Sequence, residues 1–242
     1  MSLFNIVYLE EVDSTNSFLK QNEFEDKTIV YSFNQTTGRG RENRKWFCFE
    51  NKNLALSILF KPKKSILNFN WYIACISVAL VELFDEIGVH NSWIKWPNDI
   101  YINDEKISGV LAESIWKTTK MEKLIVGIGV NVNSTKEDLS GVGKKATSVS
   151  MILGKDFDLK KFSELYLDKL SKYFTIFFGY DGIKKIKKEW VKYSKIIGKK
   201  VEWIMNGEVK SGEVFDIDED GILKLKIDEQ IIDVLAGDVN LI

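Results

Sequence analysis

The chain has 242 residues, of which 45% are hydrophobic, 12% aromatic and 29% charged, a profile that excludes extended disorder, collagen and a disulfide scaffold. Area scaling gives roughly 11,000 Å² of folded surface against about 40,000 Å² unfolded, so one or two domains can bury a core without staples. Thirty-four basic residues balance 35 acidic ones at a pI near 6.0, so any grip on nucleic acid has to rest on a local patch.

In chain order, residues 4–9 and 28–33 read as strands, and between them Asp13-Ser14-Thr15-Asn16 precedes Phe18-Leu19 as a capped helix. Leu54–Phe60 is a nearly continuous apolar run, the mark of a strand covered on both faces. Ile73, Ile76, Leu80, Leu83, Phe84 and Ile87 keep helical spacing, with Asn70 expected as N-cap and Gly88 as stop. Strands are predicted next over Ser92–Lys95, Ile100–Ile102, Lys106–Ser114 and Leu124–Asn131, with Asn103-Asp104-Glu105 as a turn. Asp158 caps a long helix that turns Leu159, Phe162, Leu165, Tyr166, Tyr173 and Phe177 inward and ends at Gly179; a further helix over 181–193 carries Ile183, Ile186 and Trp190. After Gly198 come four short alternating runs, Lys200–Ile204, Glu208–Ile217, Ile222–Ile227 and Ile231–Leu235. The hairpin signals Asn206-Gly207, Asp220-Gly221 and Asp228-Glu229-Gln230 separate them, which suggests a small SH3-like barrel. The expected division is 1–195 and 196–242.

Cys48 and Cys75 form no C-x-x-C and read as reduced packing residues of a cytoplasmic protein. Met1-Ser2-Leu3-Phe4-Asn5-Ile6 shows no basic leader before an apolar run, and the stretch Trp71–Val81 is too short to span a bilayer. His90 is the single histidine, which excludes a multi-histidine zinc site. It follows Gly88, where a histidine commonly does no more than sit near a helix's negative end.

Three segments carry candidate chemistry. In Gln35-Thr36-Thr37-Gly38-Arg39-Gly40-Arg41-Glu42-Asn43-Arg44-Lys45-Trp46, four cations fall within the seven positions 39–45. Glycines let backbone N–H groups approach an anion and guanidiniums bind it bidentately, although a solvated basic loop has the same composition. Neither the P-loop nor the dinucleotide pattern fits. In Lys95-Trp96-Pro97-Asn98-Asp99, Pro97 fixes Asn98 and Asp99 at a bend, which is also an ordinary β-turn. Lys106 opens an apolar run, as a pocket lysine or a snorkelling surface one, and Gly109 permits close approach. In Val126-Gly127-Ile128-Gly129-Val130-Asn131-Val132-Asn133, two glycines inside a strand pattern mark either close approach or plain sheet packing.

Taken in this order, Asp13-Ser14-Thr15-Asn16, the Gly38–Trp46 loop, Lys95–Asp99, Lys106 with Gly109, and Gly127–Asn133 resemble biotin protein ligases over essentially the whole chain. The resemblance implies an α+β fold: a class II aminoacyl-tRNA synthetase-like biotin/lipoate ligase catalytic domain followed by the SH3-like barrel. It implies activation of biotin by ATP to biotinyl-5′-adenylate and transfer to a lysine of biotin carboxyl carrier protein, with Mg²⁺ carried by ATP rather than held in a protein-only site. Arg41 and Lys106 are implied to bridge the carboxylate and the α-phosphate, and Asp99 to orient or deprotonate the acceptor lysine. Ser14, Thr15, Asn16, Gln35, Gly38, Arg39, Gly40 and Gly109 are implied, with Arg41 and Lys106, to enclose biotin. Arg44, Trp46, Asn98 and Asn131 are implied on the ATP side. With the catalytic pattern beginning within the first fifteen residues, neither an operator-binding domain nor a DNA operator or membrane partner is expected; a homodimer is left open.

Two rivals stay open at this level. A lipoate or octanoate ligase resembles the same scaffold but needs a mainly apolar slot. A nucleic-acid-binding or adaptor protein would use Arg39–Lys45 as its patch, and leaves the other two segments without a task.

Overall fold

The computed structural model describes residues 3–63, 69–142, 145–205 and 207–242, apart from the side chain of Asn43. Met1, Ser2 and Asn206 of the predicted leader reading and hairpin lie outside them. Seven strands form one mixed sheet in the order β1-β2-β3-β7-β6-β5-β4, where β1 is Asn5–Tyr8, β2 Thr28–Ser32, β3 Asn53–Phe60, β4 Ser92–Lys95, β5 Asp99–Ile102, β6 Glu105–Lys117 and β7 Lys120–Asn131. Only β1 and β2 run parallel.

The sheet has two unlike faces because the pleat sends alternate residues to opposite sides. Leu54, Leu56, Ile58 and Phe60 of β3, with Leu124, Val126, Ile128 and Val130 of β7, join the main core. That core packs against α2 (Asn70–Glu86), α5 (Leu159–Phe178) and α6 (Gly182–Ser194). The alternate positions face α1 (Thr15–Gln21), where Leu19 meets Val30, Leu59 and Ile125 in a separate small cluster. All eight residues of β3 are buried, as its apolar run predicts.

Most expected caps hold. Ser14 Oγ accepts from the Ser17 amide at the start of α1, Asp158 caps α5 by accepting from the Lys161 amide, and Gly88 follows α2 at φ +88°. Asn70 does not cap α2: the cap position is Phe69, and the Asn70 amide instead donates to the carbonyl of Gly221 at 2.9 Å. Of the apolar residues carried by the helix expected over 181–193, Ile183 is exposed, while Ile186 and Trp190 are buried. Two short helices escape the sequence reading, α3 (Lys136–Leu139) and α4 (Val149–Leu153), although Thr135-x-x-Asp138 is a capping box and Ser148 and Gly154 flank the second.

The C-terminal part is five strands, not four: β8 (Lys200–Met205), β9 (Glu208–Ile217), β10 (Leu223–Ile227), β11 (Gln230–Val234) and β12 (Asp238–Leu241), in the order β11-β10-β9-β8-β12. The last strand is missed because only four residues alternate before the chain stops. Val201, Val214, Leu223, Leu225, Val234 and Val239 fill the module and are continuous with the main core. Trp71 Nε1 donates to the Glu219 carbonyl at 2.6 Å, and Lys95 Nζ donates to Asn240 at 2.7 Å, so α2 and β4 both grip this module.

Helices α2 and α5 are also clasped by charge. Glu82 accepts from Lys172 at 2.6 Å and from Lys169 at 2.9 Å. Burial works against its ionised form, yet the bonds from Lys172, Tyr173 and Lys169 outweigh it and hold the carboxyl down at about 2. A carboxyl whose folded pKa is depressed stabilises above its unfolded value, and that contribution is lost as pH falls from about 4.5 towards 2. Glu82→Gln is expected to lower the melting temperature at pH 7 by about 2–4 °C. In thermal melts from pH 7 to 2 this difference should shrink below pH 4.5; a constant difference would show that the clasp does not act through charge.

Candidate active site

Strand register builds the site by removing side chains. On the α1 face, Ser32, Ala55, Gly129, Gly109, Asp99 and Lys95 form one row across β2, β3, β7, β6, β5 and β4. The next row is Val30, Ser57, Gly127 and Leu111. Small residues at the centre of both rows leave a trough where a sheet would otherwise carry a layer of side chains. A Cβ on Gly127 would lie 2.1 Å from Asn16 Oδ1, and one on Gly129 would lie 2.2 Å from the Trp46 indole. These two glycines therefore mark close approach, one by α1 and one by the Gly-Arg loop.

The trough is an open pocket with about 470 Å³ of empty space, its mouth included. Of the predicted residues, Ser14, Thr15, Asn16, Gln35, Arg39, Gly40, Trp46, Lys106 and Gly109 line it. The end near α1 is polar and buried. Gln35 Oε1 accepts from the Thr15 amide at 2.9 Å, Ser57 Oγ lies 2.7 Å from Thr15 Oγ1, and it donates to Asn16 Oδ1 at 2.6 Å. Cys48 lies behind Gln35, whose Nε2 donates to Sγ at 3.8 Å; burial pushes this thiol up to about 11, so it stays protonated and inert.

The opposite end is cationic. Lys106 Nζ sits 2.7 Å from Asp99 Oδ1 and 5.7 Å from the Trp46 ring centre. Gly109 leaves the space these groups use, since a Cβ there would lie 3.1 Å from Nζ and 3.2 Å from the carboxylate. Arg41 stands one layer behind the wall and donates to Asn98 Oδ1 at 3.0 Å. Asn98 in turn holds Val110 by side chain and backbone, at 2.7 and 2.8 Å. Arg41, expected beside Lys106, thus comes together with Asn98 instead, and both lie outside the pocket lining.

The loop itself is ordered by its own hydrogen bonds. Gly40 and Trp46 amides donate to the Arg44 and Gly38 carbonyls at 2.7 and 3.0 Å, and Gly38 has no room for a side chain beneath the Trp46 carbonyl. Arg44 pairs with Glu42 and, at 3.1 Å, with Asp238 on β12, so the C-terminal module reaches the Gly-Arg loop. Asn131 lies beside the pocket with both ends of its amide engaged, accepting from Asn53 and donating to the Thr147 carbonyl.

Sequence reasoning missed two residues here. Ser57 is the one polar residue inside the apolar Leu54–Phe60 run, a signal that was available. Glu113 closes the Lys106–Glu113 segment, and its carboxylate accepts from Asn16 Nδ2 at 2.9 Å and Arg39 Nη2 at 3.0 Å.

A family model described as "Biotin/lipoate A/B protein ligase family" matches residues 8–131, which contain every lining residue of the pocket. The chain belongs to this family. A second model, "Biotin protein ligase C terminal domain", matches residues 196–241, the five-stranded module. Among solved structures, the biotin protein ligase of Aquifex aeolicus in complex with biotin and ATP is 32% identical, with a TM-score of 0.82 over 98% of each chain. The bifunctional ligase/repressor BirA of Bacillus subtilis is 29% identical over 249 residues, covering 98% of this chain and 74% of that protein. The biotin–[acetyl-CoA-carboxylase] ligase of Paracoccus denitrificans is 29% identical over 207 residues, covering 81% of this chain and 83% of that protein. Among the described residues no helix is long and apolar enough to cross a membrane.

In this ligase fold the Gly129 clearance is what lets the indole of Trp46 close the trough. Gly129→Ala is expected to expel it, giving red-shifted tryptophan emission and stronger acrylamide quenching. Emission and quenching identical to wild type would mean that Trp46 does not rest on that wall.

Proposed function

We propose that the protein is a biotin protein ligase, which activates biotin with ATP to biotinyl-5′-adenylate and transfers it to a lysine of a biotin carboxyl carrier protein. The observation that carries this reading is the polarity of the trough: a buried hydrogen-bonding end formed by Thr15, Asn16 and Gln35, and a cationic end at Lys106. Biotin has the same polarity, a ureido ring at one end and a carboxylate at the other. The family includes lipoate ligases as well, and a dithiolane would leave the polar end unpaired, at a cost in affinity.

In the first step a carboxylate oxygen bonds to the α-phosphorus of ATP as the bond from that phosphorus to the pyrophosphate oxygen breaks. Both reactants are anions, so the barrier is largely electrostatic and positioned cations lower it. Lys106 supplies a cation at the trough, and Arg41 stands behind it on the same side. Mg²⁺ is assigned to the triphosphate rather than to a protein-only site; bound there it would supply charge neutralisation for the departing pyrophosphate. Arg44, beside Asp238, and Asn98 are assigned to the triphosphate side, with Asn131 and Trp46 towards the nucleotide.

In the second step the acceptor amine attacks the acyl carbon of the mixed anhydride and AMP leaves. Asp99, 2.7 Å from Lys106, is the carboxylate placed to take the amine's proton. The Gly-Arg loop shields the anhydride from water until the acceptor arrives. We place the reaction in the cytoplasm, a reading supported by Cys48 and Cys75, which among the described residues form no disulfide.

The test is incubation with Mg·ATP and either biotin or lipoate without acceptor, reading products by mass spectrometry. Biotinyl-adenylate alone is expected; lipoyl-adenylate would overturn the substrate. Lys106→Gln is expected to slow adenylate formation by about 100- to 1,000-fold, the scale of one lost charge-stabilising donor. Arg41→Gly is expected to release adenylate sooner, read as biotin on bystander proteins, and unchanged retention would remove the loop from that role.

A further inference from the structure

The polar end of the trough has a direction, and Glu113 sets it. We propose that Glu113 is a specificity-determining positioning residue, whose carboxylate fixes which groups of the floor donate and which accept, so that the floor reads a ureido group. This rests on the biotin reading and deepens it.

Glu113 lies on β6 one row beyond Leu111, with Ile125 as its register partner. Its Oε2 accepts from Asn16 Nδ2 at 2.9 Å and from Arg39 Nη2 at 3.0 Å, and Oε1 lies 3.7 Å from Lys20 Nζ. One carboxylate therefore ties α1, the Gly-Arg loop and the sheet together. An ionised carboxylate has no proton to give, so Asn16 must present its NH₂ to Glu113 and its carbonyl to the other side. That carbonyl meets Ser57 Oγ at 2.6 Å. An amide oxygen only accepts, so Ser57 spends its single proton there.

The order then passes along the floor. Ser57 cannot donate to both Asn16 and Thr15, so the 2.7 Å contact takes the Thr15 proton, in preference to the longer 3.3 Å approach of Thr15 Oγ1 to Gln35 Oε1. Gln35 Oε1 is held by the Thr15 amide at 2.9 Å, which leaves Gln35 Nε2 with only the weak acceptor Cys48 at 3.8 Å. The floor thus offers a lone-pair acceptor at Thr15 beside an unspent donor at Gln35. A ureido group carries an N–H beside a C=O and matches that pair. An alkyl chain or dithiolane ring matches neither. If the group at position 113 could also donate, only the long 3.4 Å bond from Asn16 Nδ2 to the Leu111 carbonyl would still hold the orientation, the acceptor of Ser57 would be weakly fixed, and the order at Thr15 would loosen.

The experiment is steady-state adenylate formation by the full chain with Mg·ATP, comparing biotin with lipoate. Glu113→Gln and Asn16→Asp are each expected to raise the biotin KM at least about tenfold, with kcat changed far less, and to narrow the preference over lipoate. The double variant N16D/E113Q is expected to bring the biotin KM back to within about threefold of wild type. The new carboxylate at position 16 accepts from both neighbours and restores the order at Ser57, a rescue that a merely structural role would not produce. Ser57→Ala breaks the relay beyond Asn16 while leaving Glu113 and its contacts to Asn16, Arg39 and Lys20 in place, and is expected to raise the biotin KM in the same way. An unchanged biotin KM in E113Q and S57A, or a double variant no better than the worse single one, overturns the proposal. A wild-type protein that makes no biotinyl-adenylate overturns the ligase reading itself, a result distinct from equal kinetics in wild type and variants.

Discussion

The site exists because one face of a sheet lacks side chains where its neighbours have them. Ala55, Gly129 and Gly109 in one row, with Ser57 and Gly127 in the next, leave a trough directly on the backbone of three central strands. A sheet stripped of packing on one side loses burial there, and the other side has to supply it. It does: every residue of β3 is buried, and the alternate positions of β3 and β7 are Leu, Ile, Val and Phe set against α2 and α5. The glycines are tolerated in these strands because the opposite face fixes the register, and a slip of one residue would put leucines in the trough and glycines in the core.

The same register places the chemistry. Asp99 and Lys95 end the row that starts at Ser32, so the charged rim of the trough stands at a fixed number of strand spacings from its polar end. Lys95 and Arg44 carry the connection onward to Asn240 and Asp238 of β12. The C-terminal module is therefore held at two motifs of the site as well as through Trp71 and Asn70, and its core is continuous with that of the larger domain. A module attached in this way fixes the outer boundary of the Gly-Arg loop.

Most of this architecture was legible from the sequence, for reasons that differ by element. The buried strand over Leu54–Phe60, the helix over 70–86 and the capped helix after Asp158 announce themselves by apolar period and caps, and all three are present. The motif residues Thr15, Gln35, Arg39 and Lys106 converge on one pocket although they are scattered over about ninety positions. What escaped was whatever depends on pairing between distant segments. Asn70 reads locally as a cap, and only the arrival of Gly221 gives its amide another partner. Glu113 looks like the end of a strand until register brings it to Asn16 and the loop to Arg39. The lone Ser57 in an apolar run was a local signal of the same site, meaningful only once the strand's face is known.

The charges of the loop decide the remaining question of what kind of anion this surface accepts. A patch that binds nucleic acid offers cations free to displace counterions from phosphates. Of the loop's four cations, Arg39 is paired with Glu113, Arg44 with Glu42 and Asp238, and Arg41 is engaged by Asn98, which leaves the exposed Lys45; beyond the loop, Lys106 is paired with Asp99. An incoming anion must compete with carboxylates already in place, so diffuse attraction is small. An acid that also satisfies the buried hydrogen-bonding end, and presents its negative charge at the trough's other end, offsets the loss of the Lys106 pair there. For the acid substrate the polar end therefore supplies the recognition, and the paired cations add little attraction of their own.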